Sequence, residues 1–210
     1  MTGNPQFYRI QNGIYDVDTI DCRFYATRNV WQDNWDDEYR TVRPEVVTDA
    51  AITAAREFPN KRILVHYLQP HAPYIGPTGA EELPCDYLNF WSSFKSGEID
   101  VELSVARRAY RENLEIVLKD VERLLSEVDG KIVLTADHGE MLGERTGLLP
   151  TKKYGHPSGV YTPELVEVPW FVHEHDSRRK IVAEEPGECE QTDSTDEEVK
   201  ERLRDLGYVN

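Results

Sequence analysis

Between Ile99 and Val128 the residues Leu103, Ala106, Tyr110, Leu114, Val117, Val121, Leu124 and Val128 step by three or four, with charged residues between them. That is the period of an amphipathic α-helix with one buried face. A strand, whose side chains alternate, cannot use such spacing, so a long helix anchors any fold available to this chain. Gly130 then supplies a helix stop, and the apolar run Lys131 to Ala136 has the length of a strand. Helix, glycine, strand and then TADHGE is the punctuation of an α/β sheet, where ligands sit beyond the carboxyl ends of the strands.

Other elements follow from the same logic. Pro44 suits a first helical turn, and Val47, Ala50, Ala51, Ala54 and Phe58 keep helical spacing until Pro59-Asn60, which predicts a helix over 45–57. RILVHYL, residues 62–68, reads as a buried strand delivering QPHAPY at its end, and VEVPWFV, residues 166–172, as a strand kept to an edge by Pro169. Residues 1–43 read as surface loops with short strands, and 77–97, without a period, as a long functional loop. The body is expected to span 1–180, an acidic flexible linker 181–195, and a short C-terminal helix 196–210. In that helix Ser194 and Glu197 are spaced as a capping box, Val199, Leu203 and Leu206 share one face, and Gly207 follows the end.

Composition narrows the function classes. A formal charge of −15, from 39 acidic against 24 basic residues, argues against a nucleic-acid surface, which needs Lys and Arg in patches. Eight Lys against sixteen Arg makes a Lys-poor acidic surface suited to high salt, or simply an ordinary acidic cytosolic protein. Cys22, Cys85 and Cys189 are far apart and form no CxxC pair, so neither a disulfide framework nor a thiolate zinc site is expected. A cytoplasmic location without membrane association is expected, because no signal peptide is legible and no apolar stretch approaches the roughly 18 residues of a span.

Chemistry concentrates at predicted strand ends. Asp137 and His138 combine a carboxylate with an imidazole, a ligand pair for zinc or manganese, and Gly139 lets the backbone turn so that both converge. The competing interpretation has Asp137 capping a short helix at 140–143, with His138 a polar loop residue. His71, stiffened by Pro70 and Pro73, and His156 in YGHPSG also lie in loops beyond predicted strand ends, and three such imidazoles point to an anionic substrate. Lys152 and Lys153 add positive charge there or form a solvated pair. His66 reads as a core histidine, and His173 and His175 as an exposed strand end or a metal-binding pair.

The stretches LVHYLQPHAPY, KIVLTADHGEMLGE and YGHPSGVYTPELVEVPWF, in that order, resemble the C-terminal half of sulfatase-like hydrolases of the alkaline phosphatase superfamily. WDDEYRTVRPEVVTDAA and the terminal ERLRDLGYV are similar to flanking parts of that group. The resemblance implies an incomplete alkaline-phosphatase-like sandwich, with a mostly parallel central sheet and flanking helices. It makes Asp137 and His138 ligands of a divalent metal (zinc, manganese, calcium or magnesium), and His71 and His156 catalytic groups contacting the sulfuryl or phosphoryl oxygens, with Lys153 assisting substrate binding.

Relatives of that type also carry an earlier strand with an acidic ligand and a nucleophile, in C/S-x-P-x-R or as Thr or Ser. Cys85, in LPCDY, lacks the following Pro and Arg. Two ligands fall short of the roughly four of a complete site. The resemblance therefore implies a metal-dependent hydrolase of small anionic sulfate or phosphate esters, incomplete as it stands and served by a complementing N-terminal half. A noncatalytic remnant or interaction domain of the same fold, and a phosphotransferase of the same superfamily, are the alternatives. Met1 then marks a mis-set start, a fragment boundary or a true truncation.

Overall fold

Along the chain come α1 (Gln6–Asn12), α2 (Pro44–Glu57), α3 (Pro77–Glu82), α4 (Phe90–Ser96), α5 (Leu103–Glu127), β1 (Ile132–Leu134), β2 (Met141–Arg145), β3 (Lys152–Gly155), α6 (Pro163–Val166), β4 (Phe171–His173) and α7 (Asp196–Asp205). They belong to a computed structural model that describes residues 1–15, 17–83, 89–145, 151–175, 178–186 and 195–209.

The amphipathic stripe forms α5, with one change of register. Ala106, Ala109, Asn113, Val117, Val121 and Leu124 are buried, whereas Leu114 is 37% exposed. An apolar stripe thus continues through a fully buried asparagine, whose hydrogen bonds are described below. Helix α2 opens with Pro44, as expected, and packs Ala51 and Ile52 against Leu124 of α5. Its buried Thr48 shares a 2.7 Å hydrogen bond with the Tyr67 hydroxyl. A burial of this kind stabilises by about 1.5–3 kcal/mol per Leu, Ile or Val side chain.

The expected strands form only partly. β1 and β4 pair antiparallel, with Ile132 opposite His173 and Leu134 opposite Phe171. β2 and β3 pair antiparallel, with Met141 opposite Gly155 and Leu142 opposite Tyr154. Both sheets are two-stranded, so the mixed α/β character holds while the expected mostly parallel central sheet is not formed by the described residues. The run 62–68 makes a single parallel bridge instead: His66 pairs with Thr2, which also bridges Asn29. Pairing at 166–172 is delayed to Phe171 because Pro163 opens α6 and Pro169 has no N–H to give a ladder.

Two segments are more ordered than expected. Within 77–97, α3 is tied to α5 by Thr78, whose N–H and hydroxyl both donate to Glu112, each at 2.7 Å. Helix α4 is capped by Asn89, which accepts from the Ser92 N–H at 3.3 Å. Residues 1–43 likewise contain α1. Cys85 and Cys189, and 187–194 of the expected linker, lie outside the described residues.

Helix α7 packs into the main core, where Val199, Leu203 and Leu206 join Trp31, Val42, Val47 and Leu68. Its capping box is Thr195 with Glu198, one position beyond the expected Ser194 and Glu197. The Glu198 carboxylate accepts from the Thr195 N–H at 2.9 Å, while the Thr195 hydroxyl accepts from the Glu198 N–H at 3.3 Å. No described helix is long and apolar enough to cross a membrane.

Candidate metal and oxyanion site

The loop after Leu68 is built by backbone constraints before any side chain enters the site. The Gln69-Pro70 and Ala72-Pro73 peptides are both cis. The buried Gln69 amide donates to the Val42 carbonyl at 3.1 Å, and the His71 N–H closes a turn onto the Leu68 carbonyl at 3.1 Å. Asn113 holds the other side of the loop. Its amide nitrogen donates to the carbonyls of His71 (3.1 Å) and Pro73 (3.0 Å), and its oxygen accepts from the Ile75 N–H (2.8 Å). This satisfies three backbone groups from one side chain with no exposure to solvent, which is why a polar residue interrupts the stripe of α5. A polar residue one position from an apolar one at the same helical turn was the available sequence sign, but periodicity alone favours the apolar neighbour.

The TADHGE turn places its groups differently from a helix cap. No helix follows Asp137, since β2 begins at Met141. Asp137 accepts instead from the His138 N–H at 3.0 Å, and its other oxygen lies 3.8 Å from Nε2 of His138. Nδ1 of His138 is 2.8 Å from the Gly139 carbonyl, which can only accept, so Nδ1 carries a proton. Glycine is required at 139 by a close approach: a Cβ there would lie 2.0 Å from the Glu164 carbonyl oxygen. The Gly139 N–H meanwhile donates to Leu165 at 2.9 Å, tying the turn to α6.

His156 follows β3 and faces this turn. Its Nδ1 lies 3.2 and 3.3 Å from the two Glu140 oxygens. The His138 and His156 rings are 4.3 Å apart between centroids, and His71 is 6.4 Å from His156. The structure thus gathers His71, His138 and His156 from three separate loops, with Asp137 beside them. Donor atoms of His138, Glu140 and His156 lie within 4.8 Å of one another, the one such group among the described residues. Glu140 is the residue that sequence reading passed over, although it closes the DHGE run.

The environments of the histidines differ. Burial holds the His71 imidazole below its ordinary value, opposed by a backbone hydrogen bond to Ala72. His156 moves the other way, raised by its hydrogen bond to Glu140 against desolvation. Burial pushes the Tyr110 phenol, beside the acidic pair Glu140 and Asp137, up to about 12. A cavity of about 290 Å³ is lined by His71, Glu140, His156, Trp91, Tyr154 and Tyr208. Lys95 of α4 lines it, and Lys153, half-buried on β3, does not.

The remaining histidines fall elsewhere. His66 shares a 3.2 Å hydrogen bond with Thr2, consistent with a core role. His173 and His175 pack at 4.7 Å near β4, where His175 lies 3.7 Å from Asp129.

The sequence model of one family, described as Sulfatase, matches residues 5–197, nearly the whole chain. The chain belongs to the sulfatase family. No curated protein and no solved structure matches it. Sulfatase membership makes it sulfatase-like hydrolase material, and the resemblance implies a divalent cation. The clustered donors fit one: the Glu140 carboxylate with the His138 and His156 imidazoles suits zinc or manganese, while Asp137 lies outside that cluster, against His138. The His138 Nδ1–carbonyl contact is the outer-shell arrangement that aims Nε2 at a metal.

Proposed function

We propose that this sulfatase-family chain carries the cation-binding and oxyanion-binding part of a hydrolase of small sulfate or phosphate esters. The observation that carries the reading is the convergence of His71, His138 and His156 around Glu140 and Asp137, with His71, Glu140 and His156 lining one cavity. Asp137 and His138 hold the cation, with Glu140 next to them. When bound, that cation supplies positive charge against the negative charge that develops on the transferring group.

The two substrate-facing histidines divide the proton work. His156, kept basic by Glu140, is the donor to the departing ester oxygen, since its protonated form persists to higher pH. His71, kept neutral by burial with Nδ1 turned to the Ala72 carbonyl, presents Nε2 as an acceptor toward the incoming group. Opposite displacement of two pKa values in one site is the pattern by which acid and base roles are assigned. Lys95 contributes charge at the cavity wall, and Lys153 at longer range. Nothing in this donor set distinguishes a sulfuryl from a phosphoryl group, so hydrolase and phosphotransferase chemistry share it.

The nucleophile and an earlier acidic ligand come from a complementing N-terminal half. Support comes from exposed apolar residues: Trp170 and Phe171, at the start of β4, are 71% and 53% exposed, and Leu64, within the expected strand 62–68, is 66% exposed. A two-stranded sheet is marginal by itself, and its unpaired edges are where further strands would add. The same exposed face favours the second reading, an interaction domain without turnover.

Titration of the purified chain with manganese or zinc, then co-expression with the in-frame upstream region and assay on 4-nitrophenyl sulfate and 4-nitrophenyl phosphate, tests the hydrolase reading. Stoichiometric metal and activity on either ester are expected. No metal, together with an upstream region lacking an acid and a nucleophile, leaves the interaction domain.

A further inference from the structure

The C-terminal segment enters the site from a distance in sequence. Gly207 adopts φ +72°, a left-handed turn that ends α7, and the Tyr208 N–H closes it onto the Leu203 carbonyl at 3.0 Å. This turn carries the Tyr208 ring to 5.4 Å from His71, tilted by 37°. The phenol oxygen accepts from the Asn4 amide at 2.9 Å. Asn4 is itself buried and fixed, because its N–H donates to Thr2 at 2.9 Å and its side-chain oxygen accepts from the Gln6 N–H at 2.9 Å. The two ends of the chain therefore meet over one histidine.

We propose that Tyr208 is a positioning residue for His71, fixing the imidazole's tautomer and direction. The His71 ring has Tyr208 against it and His156 beyond, and its Nδ1 faces the Ala72 carbonyl. Packed at 5.4 Å, the Tyr208 ring restricts rotation of the imidazole and keeps Nδ1 toward that carbonyl. The same segment lines the cavity with Leu206, Gly207 and Tyr208, alongside Trp91 and Tyr154. Docking of Val199 and Leu203 in the core makes the wall rigid. Asn4 and Tyr208 both lie outside residues 5–197, the part matched to the family.

The consequence for ester transfer rests on the function proposed above, but the test does not. In uniformly 15N-labelled full chain, imidazole nitrogen shifts report the His71 tautomer without substrate or cation, the assignment being made with a His71→Gln variant. Wild type and Tyr208→Phe are expected to show one tautomer, with the proton on Nδ1 and slow to exchange. Tyr208→Ala is expected to show a mixture, with the Nδ1 proton signal lost to solvent exchange. Val199→Ala, which loosens the docking of α7 but keeps the ring, retains the wild-type tautomer. An unchanged tautomer in Tyr208→Ala, or an equal change in Val199→Ala, overturns the proposal. Should Tyr208→Ala not fold, Tyr208→Leu carries the same two outcomes. A chain that fails the metal titration still answers this question.

Discussion

The amide nitrogen of Asn113 donates to the carbonyl oxygen of His71 at 3.1 Å, across 42 residues of sequence. Through this bond and its two companions, the helix that organises the fold also sets the backbone of the loop bearing His71. Asn113→Leu removes all three bonds and leaves buried backbone groups unsatisfied, at about 1–3 kcal/mol each where water cannot reach them. Urea unfolding is expected to lose about 2–4 kcal/mol, with weakened binding of inorganic sulfate and phosphate. Stability equal to wild type would show that the loop is held by its prolines alone.

Gly139→Ala is expected to be more damaging to metal binding than to folding. The added Cβ meets the Glu164 carbonyl, so either α6 or the TADHGE turn must shift. Overpacking of this kind costs about 1–3 kcal/mol. Thermal melts and manganese titration on the same sample separate the two effects, and an unaltered affinity would mean that α6 gives way rather than the turn.

Removal of cation ligands is graded by position. Asp137→Ala and His138→Ala are each expected to weaken manganese or zinc binding by more than the roughly 10–100-fold typical of an outer-shell change. Glu140→Gln should cost at least that range if Glu140 touches the ion, and less if it acts only through His156. His66→Ala, with its partner Thr2 in the core, leaves the affinity as it was. Calorimetric titration ranks the four, and a His66 effect matching that of His138 would contradict the assignment.

The His156–Glu140 pair gives a pH dependence of defined sign. The folded-state pKa of His156 is raised by the Glu140 hydrogen bond, so its contribution to stability is complete below the unfolded value near ~6.5 and is lost as pH rises through the folded value. The ring is 41% exposed, which limits the contribution to the ~0–1 kcal/mol of a screened pair. The His156 part of the stability is therefore expected to fall with rising pH across that window, against the opposite contribution of the buried His71, and Glu140→Gln to remove the His156 part, read as the difference between the wild-type and variant melting profiles of chelator-treated protein. Identical profiles would place the proton elsewhere.

Local patterns carried much of the site. Spacing of apolar residues located α2 and α5, because helical periodicity is written in neighbouring residues and survives without knowledge of the partner. Proline and glycine marked the loops of His71, His138 and His156, and these three do converge. The family, too, was legible in those stretches.

Tertiary structure decided the rest. Whether Leu114 or Asn113 faces inward depends on unpaired carbonyls in a loop some 40 residues away, and no local pattern records that demand. Glu140 joined the site only once β3 brought His156 to it, and Tyr208 reached His71 only because α7 docks in the core beside the first residues of the chain. Strand pairing followed the same rule: KIVLTA and VEVPWFV announce strands, but their antiparallel register is set by which backbone donors remain after Pro169. The sequence by itself determined which histidines sit in the proline- and glycine-marked loops that converge. Their partners, and so their protonation and direction, are long-range choices made when separate elements pack.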